Sequence, residues 1–284
     1  MKTEKTKFRP IQTIVFFVIV FVITWAFIYP AVTIAPEDVE IFLIIPGAFG
    51  PFLAAIIVIW GWNGKAVLAS WLKAIFKFKI PVVIYLFSAF LLPIIVGGMH
   101  YLLYSLLGGE SDFRLASPWY LYLFYLIPTA LLTGGNEEPG WRGFALPALL
   151  QWFHPVIASL IIGVIHSLWH LPMMGEYNTN MGWYLFNLVP LTFIFNWLYL
   201  KSRKSIFPVM LFHASTNVLS EFIPTPQVLL GGIGNYMVMR GLVYWILAIV
   251  ILIFTKGRLG YVKPTVLETI VPDLTLTTAE ATDQ

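Results

Sequence analysis

The chain has 284 residues, of which 59% are hydrophobic and only 11% are charged. Soluble domains carry about 25% charged residues, so this composition excludes an ordinary soluble protein and indicates an integral membrane protein. The formal net charge of +3 is small and the basic residues are scattered, so nothing indicates a nucleic-acid partner. Because the chain has no cysteine, disulfides, thiolate metal sites and a cysteine nucleophile are excluded.

Apolar runs long enough to cross a bilayer, which takes about 20 residues, recur along the whole chain. They predict an all-α, polytopic membrane helical bundle of about eight transmembrane helices. The first run follows a basic segment but has no small-residue cleavage site after it, so we expect a retained helix. The predicted spans are 11–33, 41–62, 80–107, 118–135, 155–172, 183–200, 206–222 and 236–255.

Between the second and third spans, lysines alternate with apolar residues over 65–79, which predicts an amphipathic helix on the cytoplasmic surface. All Lys and Arg residues except Arg114 and Arg240 fall on one predicted side of the membrane. Under the positive-inside rule, both termini are therefore cytoplasmic, and we expect the cell membrane as the location. The expected organisation is N-terminal helices in 1–117, a core in 118–222, a last span in 223–260 and a polar, disordered tail in 261–284.

The first of three polar motifs places two adjacent carboxylates and an arginine among apolar runs. Charges at bilayer depth mark functional sites by default. On a helix, Glu138 and Arg142 are i,i+4 neighbours and can pair, whereas Glu137 points about 100° away. One carboxylate is then held and the other is left to act as a general base. The alternative is that both glutamates belong to an inert buried charge pair. A helix break at Gly134-Gly135 would let the segment 136–151 continue within the membrane.

The second motif places His166 and His170 on one helical face. Residues 139–151, a turn at 152–155 and residues 156–171 predict a helical hairpin with arms of similar length. We therefore expect Glu137 at one open end to meet His170 at the other. The alternative is that these histidines are structural and only make hydrogen bonds between packed helices. This alternative is stronger for His166 than for His170.

The third motif is His213 and Asn217, again at i and i+4 on one helix. An imidazole beside an amide can donate hydrogen bonds to a developing oxyanion. The alternative is ordinary hydrogen bonding between helices. His100 and His154 are interpreted as structural, because His100 has no polar partner in the sequence and His154 lies at the turn before Pro155.

Together the three motifs resemble the CPBP family of intramembrane endopeptidases, which includes the type II CAAX prenyl proteases and lysostaphin-resistance-like proteins. The family pattern is Glu-Glu-x-x-x-Arg, then aromatic-x-x-x-His, then His-x-x-x-Asn/Asp. The resemblance covers about residues 118–222. One departure is His166, which stands where the family usually has an aromatic residue. The matching residues are Glu137, Glu138, Arg142, His170, His213 and Asn217.

The resemblance implies a role for each of these residues. Glu137 and His170 would activate a water, His213 and Asn217 would stabilise the oxyanion, and Glu138 with Arg142 would hold the first motif in place. No metal is required by this scheme. If zinc were required, which takes about three protein ligands, His166, His170 and His213 would be the candidates.

The expected partners are the lipid bilayer and a membrane-associated peptide or protein substrate. Nothing in the chain indicates whether that substrate is prenylated, or what the oligomeric state is. Two other functions are compatible with the motifs. One is a non-catalytic immunity or scaffold protein that keeps them for structure. The other is an ion-coupled transporter, which lacks the support of interrupted helices in two repeated halves.

Overall fold

The computed structural model of the protein describes residues 8–75, 78, 80–107, 117–174, 180–219, 222 and 233–262. These residues form helices and turns without a β-strand, so the all-α prediction is confirmed. The helices are α1 Pro10–Thr33, α2 Glu37–Ala48, α3 Gly50–Ile75, α4 Val82–Leu106, α5 Tyr122–Leu132, α6 135–149, α7 Pro155–Trp169, α8 Met181–Lys201, α9 Phe207–Val218 and α10 Ile233–Phe254.

The described part of the chain contains 5 helical stretches that are long and apolar enough to cross a membrane. The protein is therefore a membrane helical bundle, as its composition predicts, while the count of eight spans stays a prediction. The polar motifs lie on the shorter helices α6, α7 and α9. The long stretches are Pro10–Thr33, Glu37–Ile75, Val82–Leu106, Met181–Lys201 and Met237–Phe254.

The second predicted span, 41–62, has different limits in the structure. Its helix begins at Glu37, is interrupted at Phe49 and continues as α3 as far as Ile75. Pro51 has no amide hydrogen and fits the first turn of the new helix, which explains the restart. Within α3 the backbone turns sharply at Gly64, whose φ of +82° is a left-handed conformation that favours glycine.

Beyond Gly64, residues 65–75 of the predicted amphipathic segment are helical. Lys65 and Lys73 are exposed. The apolar side packs on the protein core through Val67, Leu68, Trp71 and Leu72. Residues 76, 77 and 79 of this segment lie outside the described residues, as do the lysines at 2, 5 and 7, Arg114 and the tail from residue 263.

The predicted break in the fourth span is present: α5 ends at Leu132 and Gly134 has non-helical torsions. A new helical run, α6, begins at Gly135 and is irregular. It starts as a 3-10 turn over Gly135–Glu137 and contains a π turn over Trp141–Ala145. Such turns reorient side chains relative to a regular helix, and they are frequent at functional sites. Here the 3-10 turn contains Glu137 and the π turn contains Arg142 of the first polar motif.

The predicted hairpin is formed by α6 and α7, joined by a turn over residues 150–154. Pro155 occupies the first position of α7, where its missing amide hydrogen costs nothing. His154 caps this helix, because its Nδ1 accepts a hydrogen bond from the amide of Val156 at 3.4 Å. The hairpin packs in the protein core through the fully buried Trp141, Phe144 and Trp169.

One close backbone contact fixes α6 against α3. A Cβ atom on Gly140 would overlap the backbone carbonyl of Pro51 and lie 2.6 Å from the Cβ of that proline. Contacts this short do not occur between real side chains and backbone, so only glycine fits at position 140. This contact thereby holds the first polar motif in a fixed position against α3.

We predict that Gly140→Ala destabilises the protein by about 1–3 kcal/mol, because the added methyl group forces α6 away from α3. Thermal unfolding of the purified protein in detergent measures the effect. Gly61→Ala is the matched control, since a Cβ atom there meets nothing within 4 Å. Equal melting temperatures for the two variants would contradict the proposed close packing.

Candidate active site

The buried ion pair of the first motif is present in the structure. Arg142 Nη1 lies 3.0 Å from Glu138 Oε1, and neither side chain is exposed to solvent. The same Glu138 oxygen lies 2.6 Å from Nδ1 of His213 on α9. A buried carboxylate needs such compensation, because an uncompensated charge in an apolar interior costs several kcal/mol. Glu138 is therefore held between a guanidinium and an imidazole.

Glu137, the second carboxylate, has a different environment. It is only 4% exposed, and its Oε2 accepts a hydrogen bond from the indole Nε1 of Trp141 at 3.2 Å. Nε2 of His166 lies 3.0 Å from the same oxygen. The Trp141 and His166 rings also pack together, with centroids 4.8 Å apart. The two carboxylates of the motif thus point to separate partners, as their helical spacing predicts.

The hydrogen-bond partner of Glu137 on α7 is His166, one helical turn before the expected His170. The hairpin turn lies at residues 150–154, and equal arms about it bring Glu137 level with the helical turn that carries His166. His170 comes one turn later, at the end of α7. Its Nδ1 donates a hydrogen bond to the His166 carbonyl at 2.9 Å, and the two imidazole centroids lie 5.0 Å apart.

The third motif faces the first across the backbone of Gly134. A Cβ atom on Gly134 would lie 2.6 Å from Asn217 Nδ2 and 3.6 Å from His213 Nε2, so glycine leaves space for both side chains. The ring of His213 lies 6.2 Å from that of His166, centroid to centroid. Asn217 is exposed and the other members of the cluster are largely buried. The fold therefore brings all three motifs together at one place.

The three histidines named as candidate zinc ligands have separate hydrogen-bond partners. His166 Nε2 faces Glu137, His213 Nδ1 faces Glu138 and His170 Nδ1 bonds a backbone carbonyl. Among the residues that the structure describes, no three His, Asp or Glu side chains are arranged to hold one metal ion.

A comparison with known proteins bears on the same region. The sequence pattern of the family described as type II CAAX prenyl endopeptidase Rce1-like matches residues 118–219. A curated relative, CAAX prenyl protease 2 of Methanococcus maripaludis, is 28% identical over 74% of this chain and 83% of its own length. Both matches support the resemblance to the CPBP family. They indicate a membrane endopeptidase, a hydrolase of peptide bonds.

Two polar residues of the core were not predicted from the sequence. Asn196 on α8 accepts a hydrogen bond from Arg142 Nε at 3.1 Å, and Ser159 on α7 accepts one from Asn196 Nδ2 at 2.8 Å. Both side chains are completely buried. The signal in the sequence is that Asn196 is one of two amides within an apolar span, where an amide is expensive unless it has a partner.

We predict that Arg142→Met destabilises the protein by about 3–5 kcal/mol, because Glu138 then remains as an uncompensated buried charge. The double variant Glu138→Gln/Arg142→Met should recover part of this loss, since it removes both charges. Unfolding of the two single variants, Arg142→Met and Glu138→Gln, and of the double variant in detergent completes a double-mutant cycle and measures the coupling. Additive losses in the double variant would show that the two side chains do not compensate each other.

Proposed function

We propose that this protein hydrolyses a peptide bond of a membrane-associated protein with a water molecule activated by Glu137. The observation that carries the proposal is the environment of that carboxylate. It is buried, it touches an imidazole and an indole, and it lies in the same cluster as a second imidazole and an amide. A general base must lie within hydrogen-bond reach of the proton that it removes, and a buried carboxylate beside a histidine suits this role.

In the proposed step, Glu137 takes a proton from water while the water oxygen forms a bond to the scissile carbonyl carbon. His170 assists by binding the same water, and His166 keeps the Glu137 carboxylate in place. The proton then passes to the leaving amide nitrogen as the C–N bond breaks. A base and an orienting imidazole of this kind contribute about 10²–10⁴-fold to the rate.

His213 and Asn217 are proposed to stabilise the negative oxygen of the tetrahedral intermediate. The His213 Nδ1–H donates to Glu138, so Nε2 can donate to the oxyanion only when the ring is protonated. The Glu138 carboxylate stabilises that imidazolium. The Asn217 amide lies beside His213 Nε2 at Gly134 and supplies the second donor. Loss of one such donor typically reduces kcat by about 10²–10³-fold.

We propose a prenylated C-terminal CAAX sequence as the substrate class, following the name of the Methanococcus relative. An apolar cavity of about 630 Å³ supports a lipid-bearing substrate, because it adjoins the end of α9 just beyond Asn217. Its size falls in the range of small-molecule sites. The lining residues are Phe90, Pro93, Ile94, Gly97, Gly98, Tyr101, Trp119, Tyr122, Leu219 and Phe222.

We further propose that both termini face the cytoplasm and that the protein resides in the cell membrane. Exposed lysines at the ends of α3 and α8 and just after α10 support this orientation, namely Lys73, Lys201 and Lys256. Excess Lys and Arg marks the cytoplasmic side. A CAAX substrate, whose prenylation occurs at a cytoplasmic C-terminus, would then approach from that side.

We predict that Glu137→Gln abolishes cleavage of an internally quenched peptide that ends in a farnesylated CAAX sequence. The amide keeps the shape of the side chain but is not a base, so kcat should fall by at least about 10²-fold. The melting temperature should change little, which separates chemistry from folding. Peptide turnover by this variant at the parent rate would eliminate Glu137 as the base.

Cleavage is also predicted to persist after incubation with a zinc chelator, because the proposed water activation uses only protein side chains. The measurement is the rate of peptide cleavage before and after dialysis against the chelator. A zinc metalloprotease treated in the same detergent serves as the positive control. A loss of rate that added Zn²⁺ restores would contradict the proposal.

A further inference from the structure

Asn196 lies in the middle of α8, in an otherwise apolar stretch, and is fully buried. Its carboxamide uses both ends. Oδ1 accepts from Arg142 Nε at 3.1 Å and Nδ2 donates to Ser159 Oγ at 2.8 Å. An amide buried without partners would cost roughly 1–3 kcal/mol, and here each end has a partner.

The bonds of Asn196 belong to a longer chain. Ser159 Oγ donates in turn to the carbonyl of Pro155, 2.8 Å away at the start of α7. On the other side, Arg142 reaches Glu138, and Glu138 reaches His213. A continuous series of buried hydrogen bonds therefore connects the backbone of α7 to a proposed oxyanion donor on α9, and Asn196 is its central member.

The neighbouring residue on α8 reinforces this arrangement. The ring of Phe195 stacks on the His213 imidazole, with centroids 5.1 Å apart and an interplanar angle of 26°. The guanidinium carbon of Arg142 lies 4.7 Å from the centroid of the same ring. The Phe195 ring thus contacts both partners of Glu138, namely Arg142 and His213. The Asn196 carboxamide contacts one of them, Arg142.

We infer that Asn196 is a positioning residue for hydrolysis, which acts through Arg142 and Glu138 on His213. By accepting from Nε, it fixes the plane of the guanidinium so that Nη1 points at Glu138 Oε1. That oxygen then meets His213 Nδ1 and directs the opposite ring nitrogen toward Gly134 and Asn217. The inference rests on the proposed function, because it assigns a purpose to the orientation of His213.

The chemistry of the side chain explains why an amide stands here. An amide oxygen orients a guanidinium without a charge of its own. A carboxylate at position 196 would form a stronger, charge-assisted pair with Arg142 and would compete with Glu138 for it. If Asn196 only fills space and satisfies Arg142 and Ser159, an aspartate should weaken the fold but leave the environment of His213 unchanged. The two interpretations therefore differ in the effect of Asn196→Asp.

The test compares Asn196→Asp and Asn196→Ala with Asn187→Ala as a matched control. Asn187 is a second buried amide of α8, but it bonds the carbonyls of Trp183 and Met237, away from the polar motifs. The first readout is kcat and KM on the farnesylated CAAX peptide. The second, which needs no substrate, is modification of His213 by diethyl pyrocarbonate, measured by mass spectrometry relative to the exposed His154.

We expect Asn196→Asp to lower kcat by about 10–100-fold with KM close to that of the parent, because a small displacement of a catalytic group has this effect. Its melting temperature should also fall, since the added buried charge is uncompensated and the donor to Ser159 is lost. The ratio of His213 to His154 modification should rise in both Asn196 variants and stay constant in Asn187→Ala. Asn196→Ala should likewise lower the melting temperature. A parent-like modification ratio in Asn196→Asp would overturn the inference, whatever its activity.

Failure of the proposed function gives a different result. If the parent protein does not cleave the peptide, or Glu137→Gln cleaves it equally well, the proposed chemistry is wrong. The modification ratios still decide whether Asn196 controls the environment of His213. A raised ratio together with parent-like kcat in Asn196→Asp would also refute the inference, because the orientation of His213 would then have no catalytic purpose.

Discussion

The arrangement of this protein depends on a guanidinium that is completely buried. Arg142 carries a charge that an apolar bundle can accommodate only with compensation, and Glu138 supplies it at 3.0 Å. Buried polar atoms need hydrogen-bond partners, and two further helices supply them to this pair. Asn196 on α8 bonds Arg142, and His213 on α9 bonds Glu138. Three helices are therefore fixed relative to one another by the requirements of a single charge.

This constraint also accounts for the separation of the two adjacent carboxylates. Glu138 is engaged by Arg142 and His213, so it is not available as a base. Glu137 meets neutral or weakly basic partners, Trp141 and His166. The irregular start of α6, with Glu137 at the end of a 3-10 turn and a π turn soon after Glu138, lets both side chains be buried on different sides of one short helix.

Local sequence relations predicted much of this arrangement. The pair of Glu138 with Arg142 followed from i,i+4 spacing, the break before α6 from Gly134-Gly135, and the hairpin from its central turn. Contacts between segments that are distant in the chain could not be predicted from the sequence. The exchange of His170 for His166 beside Glu137 depends on where the hairpin turn is centred, and the contact of Asn196 with Arg142 depends on how α8 packs. Neither has a periodic signal in the sequence.

Two indole N–H groups connect the N-terminal helices to the region that carries the polar motifs. Trp25 on α1 donates to the carbonyl of Trp169 at 3.0 Å, and Trp71 on α3 donates to the carbonyl of Gly143 at 2.9 Å. Both carbonyls belong to the hairpin that carries the polar motifs. The matched family region, 118–219, therefore shares hydrogen bonds with helices that precede it. Transplanted alone, it would expose backbone acceptors that the preceding helices satisfy, so the limits of a sequence family need not be those of a foldable domain.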